Sequence, residues 1–170
     1  TGDNTAPGVL SLVTDGRQAL DFFREIQPDV DTFGNHDFDH GYDGLRRLVD
    51  ESPQTWVSAN VELDGQRFGT DAGAEPWTVV EAGPHEVGVV GVTTPTTPSI
   101  TPTASDLTVT EPIPAVADAA AELRDRGVDY VVVLAHMADD ERIAAECDVD
   151  AVLGGHTHTE RVARVGGAVL

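Results

Sequence analysis

The chain has 170 residues, of which 40% are hydrophobic, and this length is enough for one domain with a buried core. Thirty acidic residues against ten basic ones give a formal net charge of −20, and all ten basic residues are arginine. A surface with this charge repels nucleic acid and anionic membranes, so neither is expected as a partner.

The charge also points to a salty environment. Like charges on a folded surface repel one another, and molar salt screens this repulsion because the Debye length falls to about 3 Å. Together with the absence of lysine, the charge favours a halophilic protein from a high-salt cytoplasm or medium over the alternative of an acidic mesophilic protein. The single cysteine, Cys147, excludes an internal disulfide and a cysteine-rich zinc site.

The first half of the chain reads as helices followed by a strand. Residues 15–26 place Leu20, Phe23 and Ile26 on one face of a helix. The segment "DVDTF" then leads into the loop "FGNHDFDHG" at 33–41. The predicted elements that follow are, in order, a helix over 42–52, a strand over 55–63 and a surface loop over 64–76.

The second half alternates buried strands with helices. A hairpin is predicted after residue 76, with its turn near Gly83-Pro84, and five prolines make residues 94–114 a long irregular connection. The elements predicted after it are a helix over 115–127, a strand over 130–135, a helix near 139–147, a strand over 151–154 and the start of a last strand near 161–165. This alternation predicts a single α/β domain.

Polar side chains follow the predicted strands at 30–33, 130–135 and 151–154, and "TGD" at the start of the chain fits the same pattern. Ligand sites in α/β sheets collect at the carboxyl ends of strands. We therefore expect one edge to gather a mixed set of Asp, Asn and His side chains: Asp3, Asn35, His36, His136, His156 and His158. Such a mixture suits borderline divalent ions such as Mn²⁺, Fe²⁺ or Zn²⁺, and a carboxylate can bridge two of them.

Four short motifs occur in a fixed order, namely "GDN", "GNHDFDHG", "VLAH" and "GGHTH". In this order and spacing they resemble the calcineurin-like metallophosphoesterases, and within them the 5′-nucleotidase / UDP-sugar hydrolase branch. "WVSANVEL" and "VGVVGVTTPTTPS" are also similar to that branch. The resemblance implies an α/β fold in which a β-sandwich is flanked by helices, giving four layers, α/β/β/α.

The resemblance also implies a role for each candidate residue. Asp3 resembles an aspartate that bridges two metal ions. His36 resembles a histidine that contacts the phosphate and either stabilises the transition state or protonates the leaving group. Asp39 resembles the carboxylate that orients it, with Asp37 the less favoured partner. The remaining residues resemble metal ligands, with Asn35, His136 and His156 on one ion and His158 on the other.

The sequence departs from the family in two respects. The family's first strand ends in an Asp-x-His motif, and this chain contains no such motif. The branch also carries a C-terminal domain that binds the nucleoside, for which 170 residues leave no room. We therefore expect residues 1–170 to be one metallophosphoesterase catalytic domain that lacks its first strand and any C-terminal substrate-binding domain.

The function that these observations predict is metal-dependent hydrolysis of phosphate monoesters, and the resemblance to the 5′-nucleotidase branch implies nucleoside 5′-monophosphates as the substrates. Two divalent ions (Mn, Zn, Fe or Co) would activate a hydroxide, and the partner would be a small phosphorylated substrate. The alternatives are a cyclic-nucleotide phosphodiesterase, a sulfur-ester hydrolase on the same scaffold, or a metal-binding fragment without turnover that serves as an interaction module.

Overall fold

The computed structural model describes residues 1–170. The helices are α1 (Val9–Thr14), α2 (Gln18–Ile26), α3 (Tyr42–Glu51), α4 (Thr97–Ile100), α5 (Pro112–Arg126) and α6 (Glu141–Glu146). The strands are β1 (Val30–Thr32), β2 (Thr55–Val57), β3 (Val61–Leu63), β4 (Gln66–Arg67), β5 (Trp77–Ala82), β6 (His85–Thr93), β7 (Leu107–Val109), β8 (Tyr130–His136), β9 (Ala151–Gly154), β10 (Arg164–Val165) and β11 (Ala168–Val169). No helix combines the length and the apolar character that a membrane crossing requires.

The largest sheet has six strands in the order β10-β11-β9-β8-β6-β5. Its centre, β6, β8 and β9, is parallel, and Val133 of β8 pairs with Val90 on one side and Val152 on the other. All three valines are at most 1% exposed. Parallel strands covered on both faces favour such runs of β-branched residues, and this explains the apolar sequences at 87–93 and 130–135.

A smaller parallel sheet, made of β1 and β2, packs against β6 and β8. The approach is close at Gly91 in the middle of β6. A Cβ added there would lie 2.9 Å from the Cβ of Thr32 and closer still to the carbonyl oxygen of Val57. Gly91 therefore allows the two sheets to stack, because any side chain would push them apart. A third sheet, β4-β3-β7, is antiparallel.

Helices cover the outer faces of the two stacked sheets. A core of valine, alanine, leucine and isoleucine side chains lies between the six-stranded sheet and helices α5 and α6. A second core, rich in aromatic rings, lies between the smaller sheets and helices α2 and α3, and Phe33 stacks on Trp56 with ring centroids 5.1 Å apart. The result is the four-layer α/β/β/α arrangement, so the predicted fold class is confirmed.

Several predicted boundaries differ from the structure. The helix predicted over 15–26 begins at Gln18, and Ile26 is 53% exposed while Leu20 and Phe23 are buried. Helix α1 was not predicted. Its residues Val9, Leu10, Leu12 and Val13 are exposed, whereas Ser11 is buried. This inverts the pattern by which an amphipathic helix is recognised.

The strand predicted over 55–63 is two strands. Between β2 and β3 the chain crosses from one sheet to another, and Asn60 fixes this crossing through its side-chain amide. Its Oδ1 accepts from the backbone N–H of Thr93, and its Nδ2 donates to the carbonyls of Thr93 and Thr110. A side chain that replaces ladder hydrogen bonds ends a strand without interrupting its apolar pattern.

The connections are more ordered than predicted. Residues 94–114 contain α4, a 3₁₀ turn at Pro102–Ala104 and β7, and α5 begins at Pro112 rather than at residue 115. Proline suits the first turn of a helix because the N–H it lacks would have no partner there. The loop predicted over 64–76 contains β4 and a 3₁₀ turn at Thr70–Ala72. The hairpin turn at Gly83-Pro84 is confirmed by the pairing of Ala82 with His85.

Candidate metal centre

The predicted site residues lie where strands of the two stacked sheets end side by side. Asn35 and His36 follow β1 of the small sheet, whereas His136 ends β8 and His156 follows β9 of the large one. The expectation that one sheet edge gathers them is therefore corrected, because β1 belongs to a different sheet from β8 and β9. The hydroxyl of Thr93 donates to the carbonyl of Phe33 at 2.6 Å and joins the two edges.

His136 is the centre of the arrangement. Its side chain is buried, and its Nδ1 lies 2.8 Å from the carbonyl oxygen of Thr1. A carbonyl only accepts, so Nδ1 carries a proton in this contact. The other ring nitrogen, Nε2, lies 3.1 Å from Asp3 Oδ2 and 3.3 Å from Asn35 Oδ1.

The atoms around His136 Nε2 require a cation between them. In the tautomer that Thr1 selects, the lone pair of His136 Nε2 faces a carboxylate oxygen and an amide oxygen, so three electron-rich atoms converge. Such a group is stable only with a proton on Nε2 or with a metal ion between the atoms. Its mixed nitrogen and oxygen donors suit a borderline divalent ion, so the residues fit the metal that the motifs imply.

The protonation of the metal-free pair follows from the same contacts. Burial lowers the pKa of His136, but its hydrogen bond to Asp3 and the carboxylate's charge outweigh burial, so the pKa is raised. For Asp3 the signs reverse. Burial raises the pKa of this carboxyl, and the contacts with His136 outweigh it, so the pKa is lowered. Without metal, and at pH values below the raised pKa of His136, the two side chains therefore form an ion pair.

The two remaining predicted ligands differ in position. The ring of His156 lies against that of His136, with centroids 5.1 Å apart, and burial and the neighbouring charge of His136 lower the pKa of His156. His158 is exposed, and no hydrogen bond or ion pair involves its side chain. The structure thus brings Asp3, Asn35, His136 and His156 together, and His158 lies near enough to His156 for its charge to contribute to the lowered pKa of that ring.

The gathered set depends on the amide of Asn35. Counting only His, Cys, Asp and Glu, no group of three or more is arranged to hold a metal ion. The ligand roles of these residues accordingly remain predictions.

His36 and Asp39 form a pair beside this group. A 3₁₀ turn at His36–Phe38 brings His36 Nδ1 to 2.9 Å from Asp39 Oδ2, and both side chains are partly exposed, at 41% and 30%. The backbone N–H of His36 donates to Asp3 Oδ1 at 2.8 Å. The contact partner of His36 is thus Asp39 and not Asp37, while the catalytic role of the pair remains a prediction.

Sequence reasoning missed two buried carboxylates behind the site. Asp37 accepts four hydrogen bonds, from the backbone of Asp3, Thr5 and Gly34 and from the hydroxyl of Thr5. Burial, followed by the charge of Asp31, raises the pKa of Asp37 to about 6. Asp31 accepts from the Asn4 side chain at 2.7 Å. Nothing in the sequence distinguishes these aspartates from exposed ones, because burial arises only when the segments meet.

Glycine is required where the segments cross. A Cβ on Gly34 would lie 2.5 Å from the backbone nitrogen of Asp3 and 2.7 Å from His136 Cε1. A side chain at this position would separate the N-terminal segment from the loop that carries Asn35 and His36. The glycine of "GNH" is therefore explained by close backbone approach.

A cavity of about 470 Å³ opens beside His158. Its lining includes Arg161, whose guanidinium lies 2.6 Å from Asp140 Oδ1 and 2.8 Å from Glu141 Oε2. The cation of this cavity is therefore already neutralised by two carboxylates. An anionic substrate would find little attraction here from the protein alone.

A family model described as calcineurin-like phosphoesterase matches residues 1–160. Among similar proteins, an apyrase of Anopheles gambiae is 33% identical over 145 residues, which cover 81% of this chain and 25% of the apyrase. A human 5′-nucleotidase is 29% identical over 163 residues, covering 93% of this chain and 28% of that protein. The chain therefore spans about a quarter of the length of these relatives.

Solved structures show the same fold. A 5′-nucleotidase precursor from Thermus thermophilus superposes with a TM-score of 0.75 and 29% identity, covering 88% of this chain and 29% of its own. A sulfate thiohydrolase from the same organism gives a TM-score of 0.86 with 24% identity, covering 99% of this chain and 32% of its own. The second similarity concerns the fold alone.

Proposed function

We propose a function for this chain from its family, since it belongs to the calcineurin-like phosphoesterases. The chain hydrolyses phosphate monoesters in a metal-dependent reaction, and its substrates are nucleoside 5′-monophosphates. The observation that carries the proposal is the convergence of Asp3, Asn35, His136 and His156 next to the His36–Asp39 pair. Relatives named as 5′-nucleotidases support the substrate class.

Asp3, Asn35, His136, His156 and His158 would hold divalent ions. Two ions such as Mn²⁺, Zn²⁺, Fe²⁺ or Co²⁺ would supply Lewis acidity, neutralise phosphate charge and make a coordinated water acidic enough to react near neutral pH. Attraction of phosphate depends on these ions, because the chain contains no lysine and Arg161 is paired with carboxylates.

His36 assists the departure of the leaving group. Asp39 accepts a hydrogen bond from Nδ1 and fixes the orientation of the ring, so the proton for the leaving oxygen is delivered from Nε2. The backbone bond from His36 to Asp3 fixes the distance between this proton donor and the proposed metal ligands. Proton transfer by a positioned histidine contributes on the order of 10²–10⁴ in rate.

The experiment is a phosphate-release assay on the purified chain in molar KCl. AMP and p-nitrophenyl phosphate are offered with MnCl₂, and again after EDTA treatment. We expect phosphate release from both substrates, complete loss of release with EDTA, and recovery when Mn²⁺ is restored. A cyclic nucleotide and a sulfur ester serve as additional substrates in the same assay.

The outcomes separate the alternatives. Turnover of the cyclic nucleotide without turnover of AMP would replace the proposal by a phosphodiesterase, and turnover of the sulfur ester alone would replace it by a sulfur-ester hydrolase. Bound Mn²⁺ with no turnover of any substrate would favour a metal-binding interaction module.

A further inference from the structure

We propose that Asp37 is a positioning residue that sets the geometry of the metal centre through the backbone of Asp3. This inference rests on the proposed function, because it assumes that Asp3 is a metal ligand. It assigns Asp37 a role different from that of Asp39, which contacts His36 directly.

The four hydrogen bonds of Asp37 join two separate segments. Oδ2 accepts from the backbone N–H of Asp3 at 2.8 Å and from that of Gly34 at 2.8 Å. Oδ1 accepts from the backbone N–H of Thr5 at 3.0 Å and from its hydroxyl at 2.7 Å. One carboxylate thus fixes the residues on both sides of Asn4 to the loop that carries Asn35.

The contact matters because the backbone of Asp3 is in an unfavourable conformation. Its φ of 57° lies in the left-handed region, which non-glycine residues seldom adopt unless their surroundings hold them there. The bond from its N–H to Asp37 supplies this restraint. The side chain of Asp3 can then present Oδ1 to the backbone of His36 and Oδ2 to His136.

Each of the four groups that face Asp37 donates a hydrogen bond to it. Only a side chain with two acceptor oxygens, a carboxylate, can accept all four. An asparagine of the same shape would place an NH₂ group against one pair of these donors. The Thr5 hydroxyl can rotate to accept from that group, but a backbone N–H would still lose its acceptor. Asp37→Asn therefore disturbs the position of Asp3 while leaving the proposed ligands themselves unchanged.

The test measures Mn²⁺ binding by isothermal titration with MnCl₂, alongside thermal unfolding of the metal-free protein, for wild type and Asp37→Asn. We expect the variant to bind Mn²⁺ about 10- to 100-fold more weakly, as is typical when the support of a metal ligand is removed. Thr5→Val retains the carboxylate and removes one of its donors, and it should weaken binding by roughly 2- to 12-fold. Thr5→Val keeps the test decisive if Asp37→Asn does not fold.

Asp150→Asn is the matched control. Asp150 also accepts from a backbone N–H, that of Val131 at 2.7 Å, but it lies at the opposite end of β8. This variant should lower the unfolding temperature and leave Mn²⁺ affinity unchanged. If Asp37→Asn and Thr5→Val bind Mn²⁺ as tightly as wild type, or if Asp150→Asn weakens binding equally, the positioning role is wrong.

The result is separable from the proposed function. Wild type that binds Mn²⁺ without hydrolysing AMP would refute the function, and the comparison of Mn²⁺ affinities would still decide the role of Asp37. Wild type that hydrolyses AMP, with unchanged affinity in both variants, would refute only the positioning role. Absence of Mn²⁺ binding by wild type would refute both.

Discussion

His36 and Asp39 have a counterpart elsewhere in the chain, which allows a matched test of proton transfer. His85 also points its Nδ1 at an aspartate, Asp129, at 3.3 Å, but at the opposite end of the large sheet. We expect His36→Asn to lower kcat for AMP by about 10²–10⁴-fold, because the leaving oxygen loses its proton donor. Mn²⁺ affinity should be unchanged.

The control is His85→Asn, which removes a histidine–aspartate contact of similar geometry. Its kcat and KM should equal those of wild type. Equal loss of activity in both variants, or normal activity in His36→Asn, would contradict the role of His36.

His136 gives the metal-free protein a pH-dependent stability. Its pKa is raised, because burial lowers it but the hydrogen bond and charge of Asp3 outweigh burial. The stabilisation is therefore fully present below the unfolded-state pKa of about 6.5 and is lost as pH rises through the folded-state value. We expect the urea midpoint of EDTA-treated protein to fall from pH 6.5 upwards, as measured by circular dichroism.

The partners of His136 define the control. Asp3 has a lowered pKa, so its contribution is lost only in acid, as pH falls from about 3.8 through its folded-state value. The pKa of His156 is lowered, so its effect on stability changes with pH mainly below about 6.5, outside the tested range. Asp3→Asn should flatten the fall above pH 6.5, and a flat wild-type profile there would contradict the ion pair.

At this scale the sequence allowed prediction of residues whose chemistry appears in short motifs. Asn35, His136 and His156 could be grouped because each lies at or just after the end of a predicted strand, and Asp3 because "TGD" fits the same sequence pattern, although no strand precedes it in the structure. The structure brings these four residues together. The supporting carboxylates Asp31 and Asp37 could not be found in this way. Their importance depends on burial and on donors up to 34 residues away in sequence, and neither is visible locally.

Among the elements, β6 carries a tight packing constraint at Gly91. Gly91→Ala would place a methyl group against the carbonyl of Val57 and the side chain of Thr32. We expect a loss of about 1–3 kcal/mol in the free energy of unfolding, measured with urea, because the two sheets must separate or strain. Gly8→Ala is the control, since a Cβ at Gly8 meets no atom within 4 Å, and it should change stability by less than about 0.5 kcal/mol.

Element prediction succeeded where hydrophobic periodicity and burial agree. The hairpin of β5 and β6 and the helices α3 and α5 were found because their apolar faces meet a core. It failed for α1, whose apolar residues point outward, and at residues 58–60, where Asn60 replaces ladder hydrogen bonds. In both places contacts made elsewhere in the fold override the local pattern.

For the molecule as a whole, the charge of −20 predicts that salt stabilises the fold. Screening removes repulsion among the carboxylates, so we expect the unfolding temperature to rise by on the order of 5–10 °C between 0.1 and 3 M KCl. Sucrose at equal osmolality is the control, because it is excluded from protein surfaces without screening charge. Equal effects of KCl and sucrose would contradict the electrostatic explanation.

The four-layer architecture could be predicted from the resemblance, but the assignment of each strand to one of the sheets could not. The apolar runs identify β1, β8 and β9 as strands and do not reveal that β1 pairs with β2 in a separate sheet. Pairing partners depend on contacts distant in sequence, such as the pairing of Asp31 with Trp56. The site therefore lies between two sheets, whereas the sequence pattern predicts that it lies at the edge of one sheet.

The hydrogen bond between the Thr1 carbonyl and His136 also has a consequence for biosynthesis. At typical translation speeds, the ribosome needs roughly 8 to 30 seconds to extend a chain by about 150 residues. During that interval Asp3 and its neighbours have left the exit tunnel while β8 and β9 do not yet exist. The nascent polypeptide therefore carries an incomplete site, and the affinity for divalent ions that we propose should appear only when the "GGHTH" segment emerges.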